Sequence, residues 1–239
     1  MKQYLVFHIH GPFFAAGDIA VGEYRPSLGQ PTKSGLIGLI AASMGIRRTD
    51  HKKIQLLTEK IRIGILVLAS GYLLRDYHIS IVPAPGKTPF LTRRNELLAE
   101  KLSTILSTRD YRQDSLFRIV LSSEDVDLLA NIKAALITPI FAPYLGRKSC
   151  PPALPFAPTI VNAESMIDAL QVVKFSFTEE ISLLIQKNKK STLQAFLEEK
   201  PIRIDITEFK RHDRLIDRKR WQFGERIEYL VNLEASSVL

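Results

Sequence analysis

The side chains in this sequence that could carry out acid–base chemistry on a phosphate are few and scattered. His8 and His10 stand two apart in an alternating stretch, so they fall on one face of a strand. Such a pair can serve as acid and base or as metal ligands. No carboxylate or cysteine cluster accompanies them, which favours a structural or solvent-facing role. His78, Tyr77 and Lys33 complete the set that could act on one phosphate of a nucleic acid. Their spacing defines no site. Lys33-Ser34 invites comparison with a nucleotide-binding P-loop and fails it. That motif needs Gly immediately before the Lys and a second Gly five residues earlier; Thr32 and Leu28 occupy those places.

Two stretches offer binding chemistry instead. In the first, Tyr24 to Arg48, two prolines and a glycine make a loop that gives way at Thr32-Lys33-Ser34-Gly35 to an apolar run, Leu36–Met44. The run is apolar almost all round, which predicts a fully buried helix. Ser34 or Thr32 can cap its start. Free N–H groups there suit a phosphate, and Lys33 and Arg25 would add charge. Spacing alone leaves Lys33 open between that role and a merely solvated cation. Gly35 and Gly38 let another backbone approach closely. In the second stretch, Phe141 to Pro151, the prolines and Gly146 again mark a loop. It joins Tyr144, which can stack on a base, to Arg147 and Lys148, which can meet phosphates. A packed turn with solvated cations is the alternative.

These residues need a scaffold, and the periodicity supplies one. Tyr4 to His10 reads as a strand ended by Gly11-Pro12, and Asp50 to Lys60 as an amphipathic helix. Ile61 to Ser70 reads as a buried strand. Val82 to Lys87 is a break, and Asn95 to Leu106 has helical spacing with Asn95 as cap. Leu116 to Ser122 is a strand. Ser122 with Asp125 makes a capping box for a helix reaching Thr138-Pro139. A last strand falls near Thr159 to Asn162. The order is compatible with a ferredoxin-like βαββαβ unit. Beyond Met166, Ile181 to Ile185, Ile202 to Ile206 and Arg226 to Leu233 can form strands. Lys187 to Lys190 reads as a solvated loop.

Net charge is +8, from 33 Lys and Arg against 25 Asp and Glu in 239 residues. That favours a polyanion partner, nucleic acid before anionic membrane. Phe209 to Arg226 holds seven Lys and Arg against three acids, with Trp221 and Phe223 interleaved. The longest apolar stretch, Ile61 to Leu74, is too short and too interrupted to span a bilayer. Met1-Lys2 leads straight into a strand, so no signal peptide is expected. Cys150 is the single cysteine, which permits no internal disulfide and fits a cytoplasmic protein.

Arg25-Pro26, then Pro31-Thr32-Lys33-Ser34-Gly35-Leu36-Ile37-Gly38-Leu39, then Gly45-Ile46, resemble the N-terminal signature of the CasD family. This is the subtype I-E branch of the fifth Cas family, within the RAMP superfamily. Pro143-Tyr144-Leu145-Gly146-Arg147-Lys148-Ser149-Cys150-Pro151 resembles that family's glycine-rich loop. Arg75-Asp76-Tyr77-His78 and Thr108-Arg109-Asp110-Tyr111 with Asp114 resemble the two legs of its thumb, and Arg218 to Tyr229 loosely echoes a C-terminal pattern. The likeness runs from about Tyr4 to Pro158. It implies an α+β, ferredoxin-like (RAMP/RRM-like) domain at residues 1–165, with a thumb insertion at about 76–114. A small, mainly β C-terminal lobe would follow at 166–239.

The function implied is that of a non-catalytic RNA-binding subunit of a type I-E CRISPR Cascade, without cofactor, metal or small-molecule substrate. Such a subunit grips the 5′ handle of the crRNA, caps the CasC backbone and touches the CasA large subunit, with target DNA nearby. The residues implied as RNA contacts are Arg25, Pro31, Thr32, Lys33, Ser34, Gly35, Tyr77, His78, Arg93, Arg94, Arg109, Tyr111, Tyr144, Gly146, Arg147, Lys148 and Ser149. The subtype I-C branch of the same family cleaves crRNA precursors without metal, so metal-independent endoribonuclease activity is the alternative. In I-E systems the CasE subunit does that cutting.

Overall fold

The computed structural model describes residues 1–18, 20–84, 90–173, 179–187, 191–202, 205–217, 219–220 and 222–237. The first strand, β1 (Lys2–Phe14), is longer than its pattern predicts. It runs through Gly11-Pro12 because Gly11 and Phe13 pair with Ser115 and Gln113. Three two-residue strands follow: β2 (Ala16–Gly17), β3 (Tyr24–Arg25) and β4 (Ser27–Leu28). Helix α1 (Lys33–Ser43) starts at Thr32, whose hydroxyl accepts from the Gly35 N–H. Helix α2 (His51–Lys60) leads into β5 (Arg62–Ala69), as its periodicity predicts.

The insertion departs from the helical spacing. Strand β6 (Tyr72–Pro83) and the outer half of β7 (Leu102–Ser122) form a long antiparallel hairpin, with the short helix α3 (Arg93–Leu97) between them. Thr92, not Asn95, caps α3. Leu97, Leu98, Leu102 and Ile105 fit a helical stripe by number alone. From Leu102 onward, however, the residues pair in register with β6, where β-branched Thr104 and Ile105 suit a strand. Ser122 ends β7 and is no cap. Asp125 caps α4 (Val126–Ile137) by accepting from the Leu128 N–H.

The chain continues with β8 (Thr159–Ala163), α5 (Met166–Val172) and α6 (Glu179–Lys187). Ile181 to Ile185 therefore lie in a helix rather than a strand, with Ile181 and Ile185 buried and Leu183 exposed. Strands β9 (Thr192–Leu197), β10 (Ile206–Asp217) and β11 (Gln222–Glu234) complete the fold. Residues 203–204, Arg218, Trp221, 188–190 and the tip segment 85–89 lie outside the described residues.

Among the described residues one mixed α/β architecture emerges. A large sheet runs in the order β10-β11-β9-β5-β7-β1-β8, with β6 and β3 pairing along the outer part of β7. The C-terminal strands extend the sheet of the N-terminal region, because β9 pairs antiparallel with β5. Alternation along the central strands feeds two cores. Leu5, Phe7 and Ile9 of β1 and Phe117, Ile119 and Leu121 of β7 pack under α1, α2 and α4. Tyr4, Val6, Leu116 and Val120 face α5 and α6 on the other side.

On that second face sits a buried polar pair, His8 and Arg118, opposite one another in register. Arg118 Nε donates to His8 Nε2 at 3.1 Å and Nη1 to the Leu170 carbonyl at 2.5 Å. Burial, and then the Arg118 charge, push the His8 pKa down to about 3. A neutral imidazole accepts the hydrogen bond from the Arg118 N–H inside the packed sheet. His10, partly buried, sets Nδ1 3.0 Å from the Ser115 carbonyl.

Candidate nucleic-acid interface

The glycine-rich loop is fixed at both ends by backbone bonds. Ile140 and Phe141 N–H groups reach the last turn of α1, at the Ser43 and Ala42 carbonyls. The Leu145 carbonyl accepts from Ala15 N–H at 3.1 Å, and Leu145 itself is buried in the core. The turn closes as Leu145 N–H meets the Cys150 carbonyl at 2.7 Å and Cys150 N–H meets that of Arg147 at 2.9 Å. Gly146 has φ of +87°, and a Cβ there would lie 1.7 Å from the Ala15 carbonyl oxygen. Close approach is indeed what Gly146 provides, but the backbone that approaches is the chain's own.

That turn aims Arg147 at the base of the β6–β7 hairpin. Its Nη1 donates to the Asp110 carbonyl at 3.2 Å and Nη2 to that of Arg25 at 3.4 Å. The guanidinium lies over the Tyr111 ring, 4.4 Å from its centroid. Arg25 is exposed on β3, which runs beside β7 with Arg25 matched to Arg109. Lys148, Ser149 and Tyr144 are exposed next to this group. Arg25, Arg109, Tyr111 and Arg147 are thus brought together from separate places in the sequence.

A neighbouring triad, which spacing did not single out, ties β3, β6 and β7 together at this base. Asp110 is buried and accepts from Tyr24 Oη at 2.5 Å and from Arg75 Nε at 2.9 Å. Arg75 also donates to Tyr24 Oη at 3.1 Å and stacks over its ring. The Arg75 hydrogen bond, partly opposed by burial, holds the Asp110 carboxyl below its ordinary value. The available signal was each dipeptide, Tyr24-Arg25 and Arg75-Asp76, placing an aromatic or an acid beside a cation. Nothing in the spacing said that the partner would be Asp110.

The remaining expected contacts divide. Tyr77 is 68% exposed on β6, more than a half-buried strand residue would be. His78 Nε2 lies 2.5 Å from Asp76. Near the tip, Arg93 is tied to Glu96 at 2.7 Å and to the Ile81 carbonyl, while Arg94 is exposed. Pro31 and Thr32 are buried.

Lys33 is the correction. It is 2% exposed, and its Nζ donates to Glu198 at 2.9 Å and to the Ile61 carbonyl at 3.0 Å. Its backbone N–H is taken by Asp213 at 2.7 Å. The phosphate position at the start of α1 is therefore filled by the chain's own carboxylate. Desolvation, countered by Glu198, lowers the Lys33 pKa. The same cluster contains Arg226, which bridges Asp213 at 2.6 Å, Glu228 at 2.7 Å and Glu198 at 3.4 Å. Arg211 meets Glu228 at 2.9 Å. Part of the basic C-terminal stretch is accordingly neutralised inside the fold; its Trp221 and Arg218 lie outside the described residues.

Helix α1 is also not buried all round. Gly35 and Gly38 are exposed, and Ser34 and Ala42 half-buried. This face floors a groove of about 970 Å³ that also reaches Tyr144 and Gly146. Among the described residues, no group of three or more His, Cys, Asp or Glu is placed to hold a metal, and no helix is long and apolar enough to cross a membrane.

The family model described as CRISPR-associated protein (Cas_Cas5) matches residues 4–227. The chain belongs to this family. It is 31% identical over 154 residues to the CRISPR system Cascade subunit CasD of Escherichia coli (strain K12), a match covering 63% of this chain and 68% of that protein. A chain of a CRISPR RNA-guided surveillance complex shares the fold with a TM-score of 0.68 at 23% identity, over 99% of this chain and 93% of that one. A second solved Cas protein matches with a TM-score of 0.64 at 22% identity, over 98% and 97%.

Proposed function

We propose that this protein is a non-catalytic RNA-binding subunit of a type I-E Cascade that holds the 5′ handle of the crRNA. The observation that carries the reading is the convergence of Arg25, Arg109, Tyr111 and Arg147 at the foot of the thumb, with Lys148 and Tyr144 exposed beside them. Phosphates would meet these cations and bases would stack on the rings, as single-stranded RNA is commonly held. Arg147 is oriented by two carbonyls and a ring, so little side-chain entropy is lost when a phosphate arrives. We read the strand order β8-β1-β7-β5 as a ferredoxin-like unit and the β6–β7 hairpin as the thumb. The thumb would keep a target base from pairing at the handle boundary, while neighbouring faces cap the CasC backbone and touch the CasA subunit.

The test uses one labelled repeat RNA carrying the handle, with EDTA present and a 2′-deoxy control. Binding that weakens with salt and is lost in Arg147→Ala/Lys148→Ala, with the RNA left intact, supports the reading. Cleavage abolished by the 2′-deoxy substitution would overturn it in favour of a metal-independent endoribonuclease.

A further inference from the structure

The groove over α1 has a second wall that the RNA reading leaves unused. One side is the glycine-rich loop, with Phe141 and Tyr144 exposed by 40% and 43%. The other is the C-terminal hairpin β10–β11, which places the imidazole of His212, its side chain 54% exposed, on the groove's rim. Arg47, exposed just beyond α1, also lines the groove. The acids that reach the groove from the hairpin, Asp213 and Glu228, are matched by Arg226 and Arg211 and add no net negative charge. Between the walls, α1 presents small residues, and a Cβ added at Gly38 would meet nothing within 4 Å. A planar group can therefore lie against the helix with rings on both sides. Tyr144 and Gly146 line this groove, and the next residues of the same loop, Arg147 and Lys148, belong to the cationic group at the base of the β6–β7 hairpin.

We infer that the groove is the onward path of the same single-stranded RNA, with the C-terminal hairpin as its far wall and His212 in contact with a nucleotide that Tyr144 does not reach. This rests on the RNA reading above. Rings on two walls of a slot that an exposed cation also lines suit splayed bases and their phosphates. The Nε2 of His212, 3.1 Å from Glu225, is a donor when the imidazole is charged and is placed to turn to a base edge or phosphate.

Gly38→Phe tests the path. Gly38 is exposed in mid-helix and a Cβ there meets nothing within 4 Å, so the substitution raises helix propensity and projects a ring into the slot. The expected result, with the full chain and handle RNA, is at least a tenfold loss of affinity with an unchanged or higher Tm. Photo-crosslinking of 4-thiouridine RNA to the wild-type chain should label a peptide containing His212 as well as the 141–150 loop. Full affinity in a folded Gly38→Phe protein overturns the inference, as do crosslinks confined to the loop and thumb, and leaves the groove to an occupant of another class. If Gly38→Phe fails to fold, the wild-type crosslinks decide alone. Loss of binding in Arg147→Ala/Lys148→Ala together with full affinity in Gly38→Phe would sink this inference and spare the handle-binding proposal. A wild-type chain that binds no RNA sinks both.

Discussion

Two groups of cations stand within this molecule, and they have opposite surroundings. At the start of α1, Lys33, Arg211 and Arg226 face Glu198, Asp213 and Glu228, three charges against three, largely out of water. At the base of the β6–β7 hairpin, Arg147 reaches two backbone carbonyls and a ring, with Arg25 exposed beside it and Arg109 matched to Arg25 in register, while the neighbouring Arg75 takes up the buried carboxylate Asp110. Carbonyls and rings orient a guanidinium without cancelling its charge; a carboxylate cancels it. The first group is therefore internal structure that joins α1 to β9, β10 and β11. The second is the one left with positive charge to offer a polyanion.

The comparison breaks most visibly at Arg226. Replacing it with Ala leaves Asp213, Glu228 and Glu198 short of a cation in a buried setting, which costs about 3–5 kcal/mol. Denaturant unfolding should show a large drop in midpoint. A change under about 1 kcal/mol would mean that water already reaches the cluster, as at a surface pair.

Next in size is Gly146→Ala. A left-handed φ and a Cβ 1.7 Å from the Ala15 oxygen force the loop to move, at roughly 1–3 kcal/mol. Because the loop also aims Arg147, RNA affinity should fall with stability. A protein of unchanged stability and affinity would show that the loop relaxes freely.

The smallest effect at neutral pH comes from His8. Its pKa is lowered from 6.5 to about 3 in the folded protein, so below 6.5 the unfolded chain binds the extra proton. Its contribution is intact above pH 6.5 and is lost progressively as pH falls toward 3. His8→Gln keeps an acceptor for Arg118 and should flatten stability against pH over that window, with no difference at pH 7.5. An equally steep decline in the variant would place the titration elsewhere.

Much of the scaffold was legible because its signals are local. The Thr32 cap, the α2 and α4 stripes, and the alternation in β1 all lie within short windows of sequence. The loop at 141–151 was legible for the same reason, as Gly146 and its cations are consecutive. What escaped depended on distance. Lys33 looks like a phosphate ligand until Glu198 arrives 165 residues later, and Tyr24 and Arg75 acquire a role only when β7 delivers Asp110. In the insertion, Leu97 to Ile105 fit a helical period by number, and from Leu102 onward the register with β6 chose the strand.

The central claim is that the two cationic groups do different work, and salt dependence of RNA binding separates them most directly. For each phosphate that the protein no longer neutralises, the slope of log K against log salt should become shallower by about one. The account predicts a shallower slope and weaker binding for Arg147→Ala. It predicts an unchanged slope for Lys33→Met, whose unfolding midpoint nevertheless falls. A Lys33→Met protein that unfolds like the wild type but binds RNA with a shallower slope would contradict it, returning Lys33 to the RNA and the α1 cluster to the binding surface.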